Sequence, residues 1–452
     1  MKTPLSDFLD SYAASGPVRM HMPGHKGKLD PFDLTEVPGA DSLYEAQGVI
    51  AQSEQAMAAC YGALETAYSA GGSTLCIQAM LAMAAGPGQR ILCSRNLHVA
   101  AANAMALLDL RPEFLYGDED PSLSQDSRLP PLLTGPAVAA GLNRWPDAAA
   151  VYVTCPDYFG GLSELQAIAA VCRGKGVPLL VDNAHGAHLS FLERNRHPIG
   201  LGASLCCDSF HKTLPALTGA AALHVGDSRF VGRAKAAMRL FGSTSPSYLI
   251  LRSIDRLLPL LSSSEIRARL DLLASRCRYA EEAFLAQGIS SLSGPWRDPC
   301  RMVLDAASAG LSGFALSEAL ERGGIVSEYA DPCFVVLLPS VESTAEDFDR
   351  LLSFAQKALP KLERNGAFPS PVPSLLFRPE RAMTMRQASL SFREQLAPQQ
   401  AVGRVAACSA SPCPPGVPVV LAGERIDQAA ASLLVRRGFS TIEVVASRPD
   451  PS

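Results

Sequence analysis

The chain has 452 residues, of which 48% are hydrophobic and 19% are charged, so it is long enough for two or three domains with a large buried core. Its formal net charge of -4 is small, and acidic and basic residues are interspersed. This pattern argues against a nucleic-acid-binding or membrane-binding surface and favours a small-molecule substrate.

The cysteines and the first residues of the chain indicate the cellular compartment of the protein. The twelve cysteines are scattered and include no C-x-x-C pair, so we expect buried free thiols rather than disulfides or a metal site. The first residues lack the charged start and apolar core of a secretory signal, which predicts a cytoplasmic protein. Residues 66–89 carry no charge, but glycines and a proline interrupt them, which predicts a loop and a buried helix rather than a membrane span.

Residues 1–20 begin with an amphipathic helical pattern. Its apolar face needs the surface of another domain or subunit to cover it. Residues 21–27 follow as a loop with proline, glycine, two histidines and a lysine. Such a loop reaches an active site or forms a plain surface turn, and the residues alone leave both possibilities open.

A glycine-rich turn, Gly71-Gly72-Ser73-Thr74, precedes a helical run over residues 75–83. Glycines let the backbone approach an anion closely, and the free N–H groups of a helix start, together with two hydroxyls, suit a phosphate. The alternative is an ordinary helix cap. We therefore predict phosphate binding by Ser73 and Thr74 if a phosphorylated cofactor is bound elsewhere in the chain.

Two stretches in the middle of the chain predict the reactive centre. Residues 177–181 are a short apolar run that meets Asp182, as a parallel strand does where it leaves the core, and Lys212 lies in the polar stretch 208–213. In open α/β sheets, ligands bind outside the carboxyl ends of the strands. An acid and a lysine there suit pyridoxal 5'-phosphate (PLP), because the lysine forms a Schiff base with the cofactor aldehyde and the acid keeps the pyridine nitrogen protonated. Taken singly, each stretch also fits an ordinary strand end or polar loop.

Strand-like and helical runs alternate around these stretches, which indicates right-handed βαβ units in a parallel sheet. Repeated prolines near residue 370 favour an extended linker. The predicted parts are an N-terminal helix and active-site loop segment (1–46), a large PLP-binding domain (47–294), a small α+β domain (295–365), a Pro-rich linker (366–376) and a C-terminal domain (377–452).

Several segments, in this order along the chain, resemble the Orn/Lys/Arg decarboxylases among the fold type I PLP enzymes. They are Met22-Pro23-Gly24-His25-Lys26-Gly27, Gly71-Gly72-Ser73-Thr74, Arg95-Asn96-Leu97-His98, Asp182 to Gly186, Asp208 to Thr213, Thr244-Ser245-Pro246-Ser247-Tyr248 and Cys413-Pro414-Pro415-Gly416-Val417-Pro418. The resemblance implies an α/β fold with a mostly parallel central sheet flanked by helices and smaller α+β C-terminal domains.

The resemblance also implies roles for individual residues. Lys212, Asp182, His98 and His185 would be catalytic, with Ala184 beneath the cofactor ring and a histidine beside it. No metal is implied. The implied cofactor contacts come from Ser73, Thr74, His98, Asp182, Ala184, His185, Ser209, His211, Lys212, Thr244 and Ser245, of which Thr244 and Ser245 would reach the phosphate of a neighbouring subunit.

The chain departs from the family pattern at a few positions. Relatives usually carry an asparagine where this chain has Ile77, and a lysine where it has Val99. Cys408 stands where relatives often carry a glutamate, and Cys413 where they carry a tyrosine. If that glutamate reads a cationic side chain, the identity of the substrate is not simply inherited.

The implied reaction is PLP-dependent decarboxylation of an amino acid, above all a basic one (arginine, lysine or ornithine), which gives an amine and CO2 as in polyamine biosynthesis. A homodimer with shared active sites is implied. Two alternatives stay open. One is another fold type I reaction, a lyase reaction or a transamination in which Arg378, Arg381 or Arg386 holds the α-carboxylate. The other is a PLP-fold protein that has lost catalysis.

Overall fold

The structure is a computed structural model that describes residues 2–116, 128–364, 378–412 and 415–446. The predicted linker 366–376 and Cys413 lie outside these residues. The chain divides into two compact units, the first made of Met1–Met83, Cys155–Leu165 and Val181–Ser370, and the second of Ala84–Thr154, Gln166–Leu180 and Pro371–Ser452. The domain boundaries given above stay a prediction.

Helices and strands alternate along most of the described chain, as the sequence predicts. The α-helices are α1 (Pro4–Ala14), α2 (Val49–Tyr61), α3 (Gly72–Ala84), α4 (Val99–Leu107), α5 (Gly135–Arg144), α6 (Leu165–Lys175), α7 (Phe210–Thr213), α8 (Ala234–Arg239), α9 (Tyr248–Asp255), α10 (Leu258–Leu261), α11 (Glu265–Leu285), α12 (Gly313–Arg322), α13 (Ala345–Lys357), α14 (Met385–Ser389) and α15 (Gln428–Arg436). The strands are β1 (Glu65–Ser69), β2 (Arg90–Ser94), β3 (Arg111–Leu115), β4 (Ala148–Thr154), β5 (Leu179–Asp182), β6 (Leu205–Ser209), β7 (Ala221–Val225), β8 (Ser290–Ser291), β9 (Met302–Asp305), β10 (Tyr329–Ala330), β11 (Phe334–Leu337), β12 (Arg393–Leu396) and β13 (Ile442–Val445). Single 3₁₀ turns cover Leu43–Glu45, Ala187–Phe191, Ser228–Phe230, Ala306–Ala309 and Leu359–Lys361.

The main sheet has the strand order β1-β7-β6-β5-β4-β2-β3. Strand β2 runs parallel to β3 and to β4, whereas β7 runs antiparallel to β1 and to β6. All four residues of β5 are buried, as expected of a continuous apolar run inside a parallel sheet. The predicted mostly parallel α/β fold is confirmed.

Smaller sheets follow along the chain. Strands β8 to β11 form an antiparallel sheet of order β10-β11-β9-β8 in the first unit. Strands β9 to β11 lie in the region 295–365 predicted to be α+β, whereas β8 lies just before it. Strands β12 and β13 pair antiparallel in the second unit. A compact apolar core beside that pair includes Ile426, Leu434 and Ile442.

The uncharged stretch predicted as a loop and a helix folds as predicted, with β1, a glycine turn and the buried helix α3. None of the helices in the described ranges combines the length and apolar character needed to span a bilayer. The cysteines within the same ranges are free, and most of them are buried, which confirms that part of the prediction.

Helix α1 covers its apolar face within its own unit. Leu5 and Leu9 are fully buried, and α1 packs against α2 and α9. The buried Asp255 carboxylate at the end of α9 accepts a hydrogen bond from the backbone N–H of Ser6 at 2.8 Å and from the hydroxyl of Ser53 at 2.5 Å. The helix therefore finds its covering surface inside the chain, and it does not by itself require a partner subunit.

The loop over residues 21–27 is held by local contacts. The Tyr12 hydroxyl lies 2.7 Å from His21 Nε2, and His25 Nε2 lies 3.1 Å from Asp33 Oδ2. The ammonium of Lys26 donates to the carbonyl of His21 at 2.5 Å. A role of this loop in an active site stays a prediction.

We expect Leu9→Ala to lower the free energy of unfolding by about 2–5 kcal/mol, because it removes a fully buried side chain from the contact of α1 with α2 and α9. Thermal and urea unfolding followed by circular dichroism would measure this loss. The matched control is Val18→Ala, since Val18 is 82% exposed. Equal effects of the two substitutions would contradict the docking described for α1.

Candidate active site

The strand ends place Asp182 and Lys212 in the same unit. Asp182 is the last residue of β5, and Lys212 lies in the single-turn helix α7 that directly follows β6. Strands β5 and β6 are neighbours in the sheet, and the N–H of Asn183 donates to the carbonyl of Cys207 at 3.0 Å. The acid and the lysine thus come from adjacent strand ends, as the sequence predicts.

Asp182 is only 2% exposed and is fixed by short-range contacts. Its Oδ1 accepts the backbone N–H of Ala184 at 3.1 Å and lies 3.7 Å from the thiol of Cys207. Burial and the Asp182 charge raise the pKa of Cys207 well above its ordinary value, so this thiol keeps its proton. The carboxylate is therefore a preoriented acceptor rather than a mobile surface acid.

His185 joins Lys212 to an arginine that the sequence did not reveal. His185 Nε2 lies 3.0 Å from Lys212 Nζ, and its Nδ1 lies 3.1 Å from Nη2 of Arg301. A guanidinium only donates hydrogen bonds, so Nδ1 must be the acceptor and the ring proton must sit on Nε2. That proton can then be donated to Lys212 only if the lysine amine is uncharged.

Electrostatics act in the same direction on Lys212. Burial lowers the pKa of Lys212, the Asp182 charge opposes this effect, and the Arg301 charge adds to it, so the pKa is lower than usual. Arg301 is only 4% exposed and donates to the carbonyl of Tyr158 at 2.6 Å. The surroundings of Lys212 therefore favour its uncharged amine more than water does, which suits the predicted role of a nucleophile.

Tyr158 and Glu328 complete one side of this group. The Tyr158 hydroxyl donates to Glu328 Oε1 at 2.7 Å, and the Tyr158 ring packs edge-on against the ring of His185 with centroids 5.2 Å apart. The sequence patterns described above did not reveal Tyr158, Glu328 or Arg301 as site residues. These residues lie 116 to 170 positions from their partners along the chain, so no local motif signals them.

The hydroxyls near Lys212 fit a phosphorylated cofactor. Among the residues that the structure describes, Ser209 Oγ and Thr213 Oγ1 are buried without a hydrogen-bond partner. Leaving such groups unpaired costs free energy, so a polar ligand that pairs with them is favoured. Together with Asp182 and Lys212, these orphaned hydroxyls match the donors and acceptors that PLP requires. Of the predicted phosphate contacts, Ser209 lies at the end of β6, directly before the helix with Lys212, and its hydroxyl has no hydrogen-bond partner.

His211 and Ala184 also lie in the first unit. His211 Nδ1 lies 3.1 Å from the carbonyl of Ala220 and must carry a proton to donate to it, while burial lowers the pKa of His211. Ala184 is 7% exposed and directly follows the Asp182-Asn183 strand end. Both positions are compatible with the predicted cofactor contacts, which stay predictions.

Two of the other predicted phosphate contacts border one cleft of about 230 Å³ in the first unit. Thr74 and Ser245 both line it, together with Gly71. Helix α3 begins at Gly72, so Ser73 and Thr74 occupy its first turn, where backbone N–H groups have no intrahelical acceptor. The segment with Thr244 and Ser245 was expected to reach a neighbouring subunit, and in the chain itself it lies beside the glycine turn.

His98 belongs to the second unit. It precedes α4, and its Nδ1 accepts the N–H of Ala100 at 3.1 Å. Gly416 has a φ of +77°, and a Cβ atom there would lie 2.5 Å from the His98 ring, so only glycine fits this turn of the Pro-Pro-Gly segment. The N–H of Val99 donates to the carbonyl of Gly416 at 2.8 Å. The place of His98 beside the cofactor ring stays a prediction.

The arginines considered for a transaminase are engaged within the second unit. Arg378 stacks on Tyr116 with its guanidinium carbon 4.5 Å from the ring centroid, and Arg381 lies 3.8 Å from the carboxylate of Glu113. Arg386 donates to the carbonyl of Leu107 at 2.5 Å. The arginine that contacts His185 is Arg301 instead.

Family models match both parts of the chain. The model described as Orn/Lys/Arg decarboxylase, major domain, matches residues 3–270, and the model described as Orn/Lys/Arg decarboxylase, C-terminal domain, matches residues 366–436.

Similar proteins span almost the whole chain. The YaaO protein of Bacillus subtilis is 29% identical over 96% of this chain and 94% of its own length. A protein named arginine decarboxylase from Halalkalibacterium halodurans is 28% identical over 94% of this chain and 91% of its own length.

A solved structure shares the fold. The lysine decarboxylase LdcF of Francisella novicida superimposes with a TM-score of 0.83 at 16% sequence identity, covering 98% of this chain and 81% of that chain. The major-domain match alone spans more than half of the 452 residues, so the chain belongs to the Orn/Lys/Arg decarboxylase family.

Proposed function

We propose that the chain is a PLP-dependent decarboxylase that converts a basic amino acid (arginine, lysine or ornithine) into an amine and CO2. The observation that carries this proposal is the cluster of Asp182, Lys212, His185 and Arg301, in which Lys212 is partly buried and its pKa is lowered. The names of the relatives support the choice of a basic substrate, since they include an arginine decarboxylase and a lysine decarboxylase.

When bound, PLP supplies an aldehyde that combines with amines and a ring that withdraws electrons from the α-carbon of the substrate. Lys212 would hold the aldehyde, and the lowered pKa of its amine favours the uncharged form that this role needs. Asp182 would accept a hydrogen bond from the protonated ring nitrogen. Because Asp182 is 2% exposed, its interaction with that charge is weakly screened by water.

The contact between Lys212 and His185 bears on how a proton would reach the α-carbon of the substrate. Loss of CO2 leaves the α-carbon needing a proton, and a positioned side chain must supply it. His185 Nε2 carries a proton and lies 3.0 Å from Lys212 Nζ, so the imidazole would hold the uncharged amine by a hydrogen bond and keep its own proton. The Lys212 amine would take up the proton that the substrate ammonium loses and return it to the α-carbon. Arg301 keeps the ring in the orientation that aims Nε2 at the lysine. The phosphate would be held by Ser209, His211, Ser73 and Thr74.

We further propose a cytoplasmic homodimer that takes part in polyamine biosynthesis. The free cysteines of the described residues suit a reducing compartment. A basic amino acid that loses its carboxylate becomes a diamine or a guanidino amine, which is the product class of such a route. Twofold pairing is the commonest closed symmetry of soluble oligomers.

The proposal is tested at Lys212. Wild-type protein reconstituted with PLP should release CO2 from at least one of arginine, lysine and ornithine, and borohydride reduction followed by peptide mapping should attach the cofactor mass to Lys212. Lys212→Ala should abolish both signals without altering the thermal unfolding curve. The control is Lys357→Ala, an exposed lysine on α13. A keto acid product instead of CO2 would point to transamination, and full activity of Lys212→Ala would overturn the assignment.

A pH profile tests the charge balance around Lys212. Because the Arg301 charge lowers the pKa of Lys212, Arg301→Met should raise that pKa and move the midpoint of cofactor uptake to higher pH. Absorbance of the incorporated cofactor would be measured from about pH 6 to about pH 11, a range that includes the ordinary lysine pKa of about 10.4, and would report the midpoint. Arg301→Lys should stay closer to wild type than Arg301→Met.

The matched control for this profile is Arg297→Met. Arg297 is a nearby buried arginine, 8% exposed, that donates to the carbonyl of Phe159 at 3.3 Å. It should leave the midpoint unchanged. Equal shifts for Arg297→Met and Arg301→Met would show that general destabilisation, rather than the charge beside His185, sets the profile.

Mixing two inactive variants tests the shared site. If Thr244 and Ser245 serve the partner's phosphate, a hybrid of a Lys212→Ala chain and a Thr244→Ala, Ser245→Ala chain contains one intact site and recovers up to about half of the activity of a dimer with two independent sites. If the segment instead serves the cleft of its own chain, the hybrid stays inactive. Hybrid formation is verified by affinity tags of two kinds, and absence of rescue in verified hybrids would refute sharing.

A further inference from the structure

We propose that Glu328, held in place by Tyr158, binds the cationic end of the substrate side chain and thereby selects basic amino acids. This inference rests on the proposed function and names the residue that sets substrate class within the same site.

Glu328 has a fixed backbone and an exposed side chain. Its N–H donates to the carbonyl of Val336 at 2.9 Å, which ties it to the sheet of β10 and β11 directly before Tyr329. The carboxylate is accessible to solvent. A residue with an anchored backbone and an accessible acid can receive a ligand without a large rearrangement.

Tyr158 aims the carboxylate. Its hydroxyl donates to Glu328 Oε1 at 2.7 Å, its carbonyl accepts from Arg301 at 2.6 Å, and its ring packs edge-on against His185 and Tyr329 at centroid distances of 5.2 and 5.5 Å. Burial, and then the contact with Glu328, raise the pKa of Tyr158 far above its ordinary value, so the phenol keeps its proton and remains a donor. One tyrosine ring therefore separates the acid from His185, which contacts Lys212.

The charge of Glu328 reaches the reaction centre. Burial lowers the pKa of Lys212, and Glu328 is among the charges that act in the opposite direction, behind Asp182. A carboxylate has about four acceptor sites, and the hydroxyl of Tyr158 occupies one of them at Oε1. The remaining acceptor sites suit an ammonium, or a guanidinium that donates two parallel N–H groups.

Cys408 provides no alternative acid for binding a cationic side chain. Burial raises the pKa of its thiol, so it offers a neutral group instead of an anion. Asp182, the other acid in contact with the Lys212 group, is already engaged with Ala184 and Cys207 at the strand end. Glu328 is the accessible acid linked to His185 through Tyr158.

The test compares cationic substrates with neutral analogues of the same shape. Arginine is paired with citrulline and lysine with norleucine, and kcat and KM are measured for the holoenzyme and for Glu328→Gln. Loss of a charge-assisted hydrogen-bonded pair should raise KM for the cationic member about 10- to 100-fold, as such pairs contribute about 1.5–3 kcal/mol. KM for the neutral member should stay unchanged, and any change in kcat that comes from the charge near Lys212 should be the same for both members. Tyr158→Phe should show the same selective change at smaller size, and Glu328→Asp should restore part of the preference.

The control is Glu321→Gln, an exposed acid of α12 in the same stretch of chain that has no contact with Tyr158 among the described hydrogen bonds. It should leave the preference for the cationic member intact. A uniform loss on cationic and neutral substrates in Glu328→Gln would mean that the residue is structural, and would overturn the proposal. An unchanged KM ratio would overturn it as well.

A binding measurement separates this proposal from the proposed reaction. Calorimetric titration of the PLP-loaded protein with arginine, citrulline, lysine and norleucine reports the preference for a cation without any turnover. If the wild type releases CO2 from no basic amino acid, the proposed reaction fails, yet a cation preference that disappears in Glu328→Gln still supports the role of Glu328. If the wild type shows no preference for the cationic member, the proposal for Glu328 is wrong whatever the reaction.

Discussion

The burial of the Lys212 amine is the constraint on which the site depends. An ammonium removed from water loses much of its hydration, so burial favours the uncharged amine that nucleophilic attack needs. The charge of Asp182 opposes this lowering of the pKa of Lys212. The charge of Arg301 adds to the lowering, and Arg301 also contacts His185, which contacts the lysine. The chemistry thus follows from a balance of two fixed charges around one buried nitrogen.

A second buried network, centred on Asp208, connects the strand ends next to Asp182 and Lys212. Burial alone would raise the pKa of Asp208, but the contacts with His197 and His224 outweigh it, and the pKa lies below its ordinary value. The same carboxylate accepts from the amide of Asn183 at 2.6 Å. Asp208 lies in β6, four residues before Lys212, and Asn183 directly follows Asp182. Asp208 therefore links the two strand ends that carry Asp182 and Lys212. Its buried charge is stable because His197 and His224 pair with it.

The sequence allowed prediction of the parts of the fold and site that depend on local pattern. A continuous apolar run that ends in an acid marks β5 and Asp182, and a glycine turn before an uncharged run marks α3. The partners of these residues could not be predicted in the same way. Arg301 lies 116 residues from His185, and Glu328 lies 170 residues from Tyr158, so only the folded chain brings them together. The surface that covers α1 was left open for the same reason, since amphipathic periodicity shows that a face is buried but not what buries it.

The residues that local sequence patterns mark and the residues that only the fold brings together have different proposed roles. The first set would carry out the reaction, and the second would select the substrate. In the proposed function, residues at adjacent strand ends would serve chemistry that many PLP enzymes share, and changing them would remove the reaction itself. Glu328 and Tyr158 lie instead in segments that flank the strands, where substitutions would alter the proposed contact with the substrate side chain and leave Lys212 and Asp182 in place. A chain with a cysteine at position 408 can therefore keep a cationic substrate if Glu328, which is separated from His185 by the ring of Tyr158, binds the substrate side chain. Substitution of Glu328 would then change this contact and leave Lys212, His185 and Arg301 in place.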